Sequence, residues 1–221
     1  MKELQPIIEH RRLAAPATTP QALAWHDGAL WISSRDLRSF HVVDPESWTV
    51  REEFDVPGIP WAATSVGDAL WFNLGEGRLD DRWLHHYVPG EGFTDREQIL
   101  CPDYTGSYLS YDGDHVHLSQ WYKGRILRLD DDGEVLRRFE VRMEISGHAF
   151  VDGFCYVLRG FEAPEEAWRI ARFDPEEHIP RMIDLAAVPF PCRSLTHDGE
   201  RFWTNHRDAD QVVSFTLPAS P

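Results

Sequence analysis

Five segments of one length recur along this chain without gaps, spanning residues 23–31, 63–71, 109–117, 149–157 and 195–203. Their starts lie 40, 46, 40 and 46 residues apart, and a mean period of about 43 is that of a four-stranded propeller blade. Each segment reads as a short apolar strand, an Asp/Gly turn and a second apolar strand. Such turns favour hairpins because Gly and Asp tolerate positive φ. This internal pattern excludes solenoids of stacked helix pairs. Two further strands follow in most repeats: 40–43 leads through the turn 44–47 into 48–54, 126–129 through 130–133 into 134–139, and 170–173 through 174–177 into 179–185. The second repeat fits most loosely, with 84–87 as its third strand and 88–91 as the turn. The unit is therefore A-B-C-D, all antiparallel.

The fifth repeat ends after its third strand, at 212–215. The unassigned stretch 7–13 resembles 135–141 in pattern, which predicts that the N-terminus supplies the missing strand D. The expected fold is an all-β, five-bladed β-propeller of four-stranded antiparallel blades, closed by the N-terminal strand joining the last blade. Closure also removes the exposed edges that an open sheet would leave. The whole chain, 1–221, is read as a single domain, with blades at about 17–57, 58–101, 102–143, 144–188, and 189–221 plus 3–14.

Composition narrows the partners. The 221 residues are enough to bury a core without disulfides, and 42% hydrophobic with 27% charged residues is ordinary for a globular protein. Asp and Glu outnumber Lys and Arg by 37 to 22, and a net charge of -15 repels phosphate backbones and anionic lipids. Neither nucleic acid nor membrane is expected as a partner. The first residues contain no apolar run of signal-peptide length, so the protein is read as cytoplasmic. Cys101, Cys155 and Cys192 lack metal-ligand spacing and are read as reduced thiols. The sequence assigns no oligomeric state.

Columns of the repeat place most of the nine tryptophans between blades. The inner strand A carries mostly small residues, with Ala22, Ala62, Tyr108, His148 and Ser194 at one equivalent position. Strand B carries Trp31, Trp71, His117, Val157 and Trp203, where gaps between blades accept large aromatics. That leaves Trp61 and Trp121 for a ligand face.

In a propeller the D-to-A and B-to-C connections share one face, and the A-to-B and C-to-D turns share the other. The acidic turns, including 130–132, fall on the second face and read as solvated turn chemistry. The first face gathers Gln21, Trp61, Tyr108, Gln120, Trp121 and Arg193, and one column on it is polar in every blade: Ser33, Asn73, Ser119, Arg159 and Asn205. These eleven residues are the candidate substrate-binding set, since a polar ring at a channel mouth suits a small molecule. The competing reading is that the column only caps strand ends. Arg35, Arg159, Arg193 and Arg207 map to this face, so an anionic small-molecule ligand is expected. Asp36, Glu162 and Asp208 are alternative partners for three of them. His148 and His206 are the candidate catalytic groups, as proton-transfer residues near the mouth. Asn73, Asn205 and Gln120 leave room for a weak divalent metal in the channel, but no carboxylate ring favours one, and neither metal ligands nor a cofactor are assigned. The insertions 75–82 and 161–167 are placed as lids.

The segments 195–205 and 118–130 resemble repeats of the propeller group that contains glutaminyl cyclotransferases, virginiamycin B lyase and the senescence-marker/gluconolactonase proteins. The resemblance spans nearly the whole chain as a repeat pattern, and five blades match the glutaminyl cyclotransferases. It implies a small-molecule enzyme of hydrolase, lyase or cyclotransferase type, or a non-catalytic propeller binding a ligand or protein partner through the same face. Catalytic residues depart from the group's patterns. Gln21 stands where gluconolactonase-type proteins place a metal-binding Glu, and His148 and His206 only partly match the Glu and His of the lyase. No residue matches the acidic group at a cyclotransferase channel entrance.

Overall fold

The computed structural model describes residues 4–76, 79–96 and 98–219, and its strands form five antiparallel blades in a ring. Blade 1 holds strands A to D at Pro20–His26, Ala29–Ser34, Ser39–Val43 and Val50–Asp55. Blade 2 has Ile59–Val66, Ala69–Glu76 and Asp81–Val88, with an outer edge reduced to Ile99–Leu100 and a short pairing at Gly92–Phe93. Blade 3 has Leu109–Tyr111, Val116–Gln120, Arg125–Leu129 and Val135–Glu140. Blade 4 has Glu144–Val151, Phe154–Phe161, Ala167–Phe173 and Ile183–Val188. Blade 5 has Arg193–His197, Phe202–His206 and Gln211–Thr216, completed by Ile8–Ala14.

Local chemistry sets the turns. Asp27 and Gly28 both take positive φ (45° and 66°), as do Asp152 and Gly153 (50° and 79°), which is the twist a two-residue hairpin requires. Elsewhere the aspartates act through their side chains. Asp44 Oδ1 accepts the Glu46 and Ser47 amides at 3.0 and 2.9 Å, and Asp130 Oδ1 accepts those of Asp132 and Glu134 at 3.1 and 2.8 Å. The 130–132 run is thus turn chemistry, as expected.

Two strand boundaries differ from the sequence reading. Strand D of blade 1 begins at Val50 because Trp48 takes a positive φ of 58° in the turn. Its indole stacks on Trp203 at 6.1 Å and donates from Nε1 to the Ala14 carbonyl at 2.7 Å, joining blade 1 to blade 5. Strand D of blade 4 starts at Ile183, since 179–182 stay outside the sheet pairing.

Ring closure follows the expected route. Ile8–Ala14 pairs antiparallel with Gln211–Thr216, with Arg12 opposite Val213 and Leu13 opposite Val212. The residues just before it make a second connection. Ile7 donates its amide to Ala187 O at 2.9 Å and Ala187 donates to Gln5 O at 2.8 Å, so the N-terminal segment also pairs with the outer strand of blade 4.

Apolar clusters fill the five gaps between blades. Trp31, Phe40, Phe72 and Tyr87 pack between blades 1 and 2, with Phe40 and Phe72 edge-to-face at 4.5 Å. Trp71, Leu118 and Leu127 pack between 2 and 3, Phe139, Val157 and Phe173 between 3 and 4, Trp168, Phe202 and Phe215 between 4 and 5, and Leu30, Trp203 and Val212 between 5 and 1. A buried side chain of this size contributes about 1.5–3 kcal/mol. The strand B tryptophans are therefore core, as their column predicts.

Candidate functional site

Strand A starts irregularly in most blades. The register with strand B slips between Pro20 and Leu23, between Pro60 and Ala62, between Ile145 and Gly147, and between Arg193 and Thr196. A bulge of this kind leaves backbone groups without ladder partners and re-aims a side chain. At blades 1 and 2 it presents Gln21 and Trp61 to the channel mouth, where a cleft of about 310 Å³ opens. All five blades line it: Gln21 and Arg35, Trp61 and Arg82, the 105–108 stretch with Trp121 and Tyr122, Glu162, and Arg193 with Arg207.

Hydrogen bonds on the floor run in one direction. Arg207 Nη1 donates to Gln21 Oε1 at 3.0 Å, and Gln21 Nε2 donates to the Tyr108 hydroxyl oxygen at 3.1 Å. The Tyr108 oxygen is thus an acceptor toward Gln21, and its own proton remains to donate, with the Ser146 side chain also within reach of the hydroxyl. Burial raises the Tyr108 pKa, against opposing pulls from Arg193 and from the Gln21 hydrogen bond, so the phenol is neutral.

Arg193 is buried, 3% exposed, and lies between two indoles, 5.1 Å from the Trp121 ring centroid and 5.3 Å from that of Trp168. Its Nη2 contacts Glu162 Oε1 at 2.6 Å and its Nη1 contacts Glu166 Oε1 at 3.0 Å. Burial opposes its charge, but Tyr108, Glu166 and Glu162 outweigh that and hold its pKa above the ordinary value. On the other wall, Arg82 stacks over the Trp61 ring at 3.8 Å. It also pairs with Asp80 at 2.7 Å and donates to Gly106 O at 3.3 Å. Gly106 sits so close to blade 3 that a Cβ there would come within 2.6 Å of Leu118 Cδ1. Arg35 reaches Asp36 at 3.3 Å, and its guanidinium lies 5.9 Å from the Trp61 ring centroid.

Five of the eleven candidate binding residues line this cleft: Gln21, Trp61, Tyr108, Trp121 and Arg193. The other six do not line it, and most of them hold backbone. Ser33 Oγ accepts the Ala22 amide at 2.8 Å, freed by the bulge, and donates to Pro60 O at 3.3 Å. Ser119 Oγ accepts the Tyr108 amide at 3.0 Å, and Asn205 Nδ2 donates to Gln21 O at 2.9 Å. Gln120 Nε2 donates to Pro102 O at 2.8 Å and fixes the 102–105 turn. Arg159 pairs with Asp184 at 2.6 Å, and Asn73 is fully buried beside Cys101. The strand-end reading describes the contacts of this column.

Neither candidate catalytic histidine lines the cleft. His148 lines a second cavity of about 140 Å³, formed by three consecutive strand A residues of each blade. Its Nε2 lies 3.1 Å from Tyr108 O, a group that only accepts, so Nε2 carries the proton and Nδ1 accepts from Ser110 Oγ at 2.5 Å. Burial first, then His117, push its pKa down to about 3, against a raising contribution from the Tyr108 carbonyl. His206 stacks on Phe190 at 5.2 Å beside Arg12, and burial followed by Arg12 lowers its pKa.

Arg35, Arg82, Glu162 and Arg207 join the cleft although the candidate set omits them. Loop parity put Arg35 and Arg207 on this face, and Arg82 ends an insertion expected to form a lid. Within that insertion, residues 77 and 78 lie outside the described residues. Among the described residues, no group of three His, Cys, Asp or Glu is arranged to hold a metal ion, and no helix is long and apolar enough to cross a membrane.

No protein-family model matches the sequence, and no curated protein sequence matches it. Solved structures do match. Glutaminyl cyclase from Myxococcus xanthus superposes with a TM-score of 0.74 at 15% identity, over 98% of this chain and 100% of that one. Aldose sugar dehydrogenase from Streptomyces coelicolor, solved with PQQ bound, gives 0.66 at 13% identity over 96% and 98%. Virginiamycin B lyase from Staphylococcus aureus gives 0.55 at 12% identity over 94% and 99%. At such identities the likeness is one of fold, and the chain is a five-bladed β-propeller of the architecture it shares with glutaminyl cyclase.

Proposed function

We propose that the mouth cleft takes a small organic anion and that the protein is an enzyme of hydrolase, lyase or cyclotransferase type acting on it. The observation that carries this reading is the convergence of Arg35, Arg82, Arg193 and Arg207 on one cleft in a chain of net charge -15. Guanidinium forks match planar carboxylates, and the two indoles supply flat apolar walls for the rest of the molecule. The similarity in fold to glutaminyl cyclase and virginiamycin B lyase agrees with an enzymatic propeller.

For the chemistry, the Arg207–Gln21–Tyr108 chain holds a neutral phenol at the floor of the cleft. A preorganised donor stabilises charge developing on a substrate oxygen without reorganisation at the moment of reaction. Glu162 is the carboxylate that lines the cleft, and it is the group in position to accept a proton. One observation favours the second reading, a non-catalytic binding propeller. The Glu162 carboxylate is already engaged by Arg193, and no histidine lines the cleft.

Calorimetric titration of small aromatic and aliphatic carboxylates, each beside its neutral amide, tests the anion reading. Carboxylates are expected to bind, and Arg207→Gln to weaken them about ten-fold. Amides binding as tightly as the acids would sink it. Mass-spectrometric search for conversion of the acids that bind then separates the two readings, since saturable binding without conversion supports the non-catalytic one.

A further inference from the structure

Arg193 is a buried cation whose two outward nitrogens are both taken by the chain's own carboxylates, and the two carboxylates are held very differently. Glu166 Oε1 accepts from Arg193 Nη1 and also from the Trp168 indole at 2.6 Å, and its side chain is 23% exposed. Glu162 is 45% exposed, and Arg193 Nη2 is the partner its carboxylate has. The loop that carries it, 161–167, is exposed at every residue. Its other tie near Glu162 is the backbone amide donating to Glu144 Oε2 at 2.7 Å. Glu162 is thus a half-exposed carboxylate that lines the cleft and sits on Arg193 Nη2, while Glu166, on Nη1, is not part of the cleft lining.

We infer that Arg193 is the carboxylate subsite of this cleft and that Glu162 is its resident competitor, so that a ligand carboxylate binds by taking the place of Glu162 on Nη2. This rests on the reading of the cleft as an anion site. Exchange of one carboxylate for another keeps the charge around a buried guanidinium unchanged, which avoids leaving that ion unpaired. A neutral ligand cannot make the exchange without such a loss. A dianion would add charge beside Glu166, which stays in place on Nη1. Glu162 therefore sets specificity: it admits singly charged carboxylates and discriminates against neutral and doubly charged ligands. Displaced, it is freed from its ion pair and becomes the available carboxylate beside the bound molecule.

The test is titration of benzoate into the wild-type protein and into Glu162→Gln, with hydrogen exchange followed across 161–167. Removal of the competitor is expected to tighten benzoate about ten-fold, the effect of one charge-assisted hydrogen bond no longer displaced. Benzoate is also expected to speed exchange in the 161–167 segment of the wild type as the loop is released. Equal or weaker binding by Glu162→Gln would overturn the competition and make Glu162 a positioning residue for Arg193, while leaving the anion site standing. Absence of benzoate binding in both proteins would overturn the anion reading itself. Glu162→Asp, whose shorter side chain withdraws from Nη2, gives the same test with the charge retained if the Gln variant does not fold. It is expected to fall between wild type and Glu162→Gln.

Discussion

The two cavities of the channel both carry buried polar groups, and the difference between them lies in how those groups are partnered. Toward the A-to-B turns, the His148 imidazole uses both nitrogens, one on the Tyr108 carbonyl and one on Ser110. At the mouth, Arg207 donates to Gln21 and Gln21 to the Tyr108 hydroxyl, and Arg193 is paired with Glu162, a half-exposed carboxylate that lines the cleft. A closed set of hydrogen bonds stabilises the fold and leaves nothing for a ligand. On the proposed reading the mouth binds because a ligand can replace the partner of a buried cation. Residue type alone does not separate them, since a buried histidine belongs to the structural end and a buried arginine to the other.

Removal of residues 1–14 tests whether both cavities depend on the ring. It deletes strand D of blade 5 and the pairing of Ile7 with blade 4, and is expected to lower the melting temperature by roughly 10 °C or more, with both cavities lost together. An unchanged melting temperature would break the closure argument.

The next effect belongs to His148→Ala, expected to cost about 2–4 kcal/mol through lost packing and hydrogen bonds, or roughly 5–15 °C. Carboxylate affinity at the mouth should stay within about two-fold. A parallel fall in affinity would show that the two ends are one network. The same residue gives a pH signature. Its folded pKa of about 3 lies below the ordinary 6.5, so on acidification the unfolded chain takes up a proton that the folded chain refuses. Its contribution to stability is complete above 6.5 and declines as the pH falls toward 3. Melting curves of His148→Gln should therefore fall less steeply with acid than those of the wild type over this window.

Tyr108→Phe removes the hydroxyl that Gln21 donates to and leaves the backbone contacts of the residue. Turnover of a converted substrate should drop about a hundred-fold, with a stability loss of only about 1 kcal/mol. Unchanged turnover would take Tyr108 out of the chemistry. The smallest effect is expected from Ser33→Ala, in the polar column. It should cost about 1 kcal/mol by orphaning the Ala22 amide and leave the affinity at the mouth unaltered.

Much of the fold could be read from the sequence because a blade is a local unit, and a hairpin turn such as Asp27–Gly28 carries its own φ requirement. The parity of the loops put Gln21, Trp61, Tyr108, Trp121 and Arg193 on one face, and one cleft gathers them. What the sequence did not reveal was the direction of individual side chains. Ser33 and Asn205 are polar residues at strand ends, as ligand-binding residues often are, but the bulges of strand A leave backbone groups that these side chains satisfy. Arg82 escaped notice for the opposite reason. It follows an insertion in the loosest repeat, and its place over Trp61 depends on how that insertion folds back.

The closing strand also bears on synthesis. His10 and Thr216, which share a hydrogen bond, are 206 positions apart, so during synthesis the strand Ile8–Ala14 waits for four blades to be made before it has its partner. Until residues 211–216 emerge, blade 5 lacks the strand that receives Ile8–Ala14, and unpaired edges stay open to other chains. Late contacts of such separation slow folding. Loss of either end of the chain should therefore reduce soluble yield in cells more than it reduces the stability of molecules that have already folded.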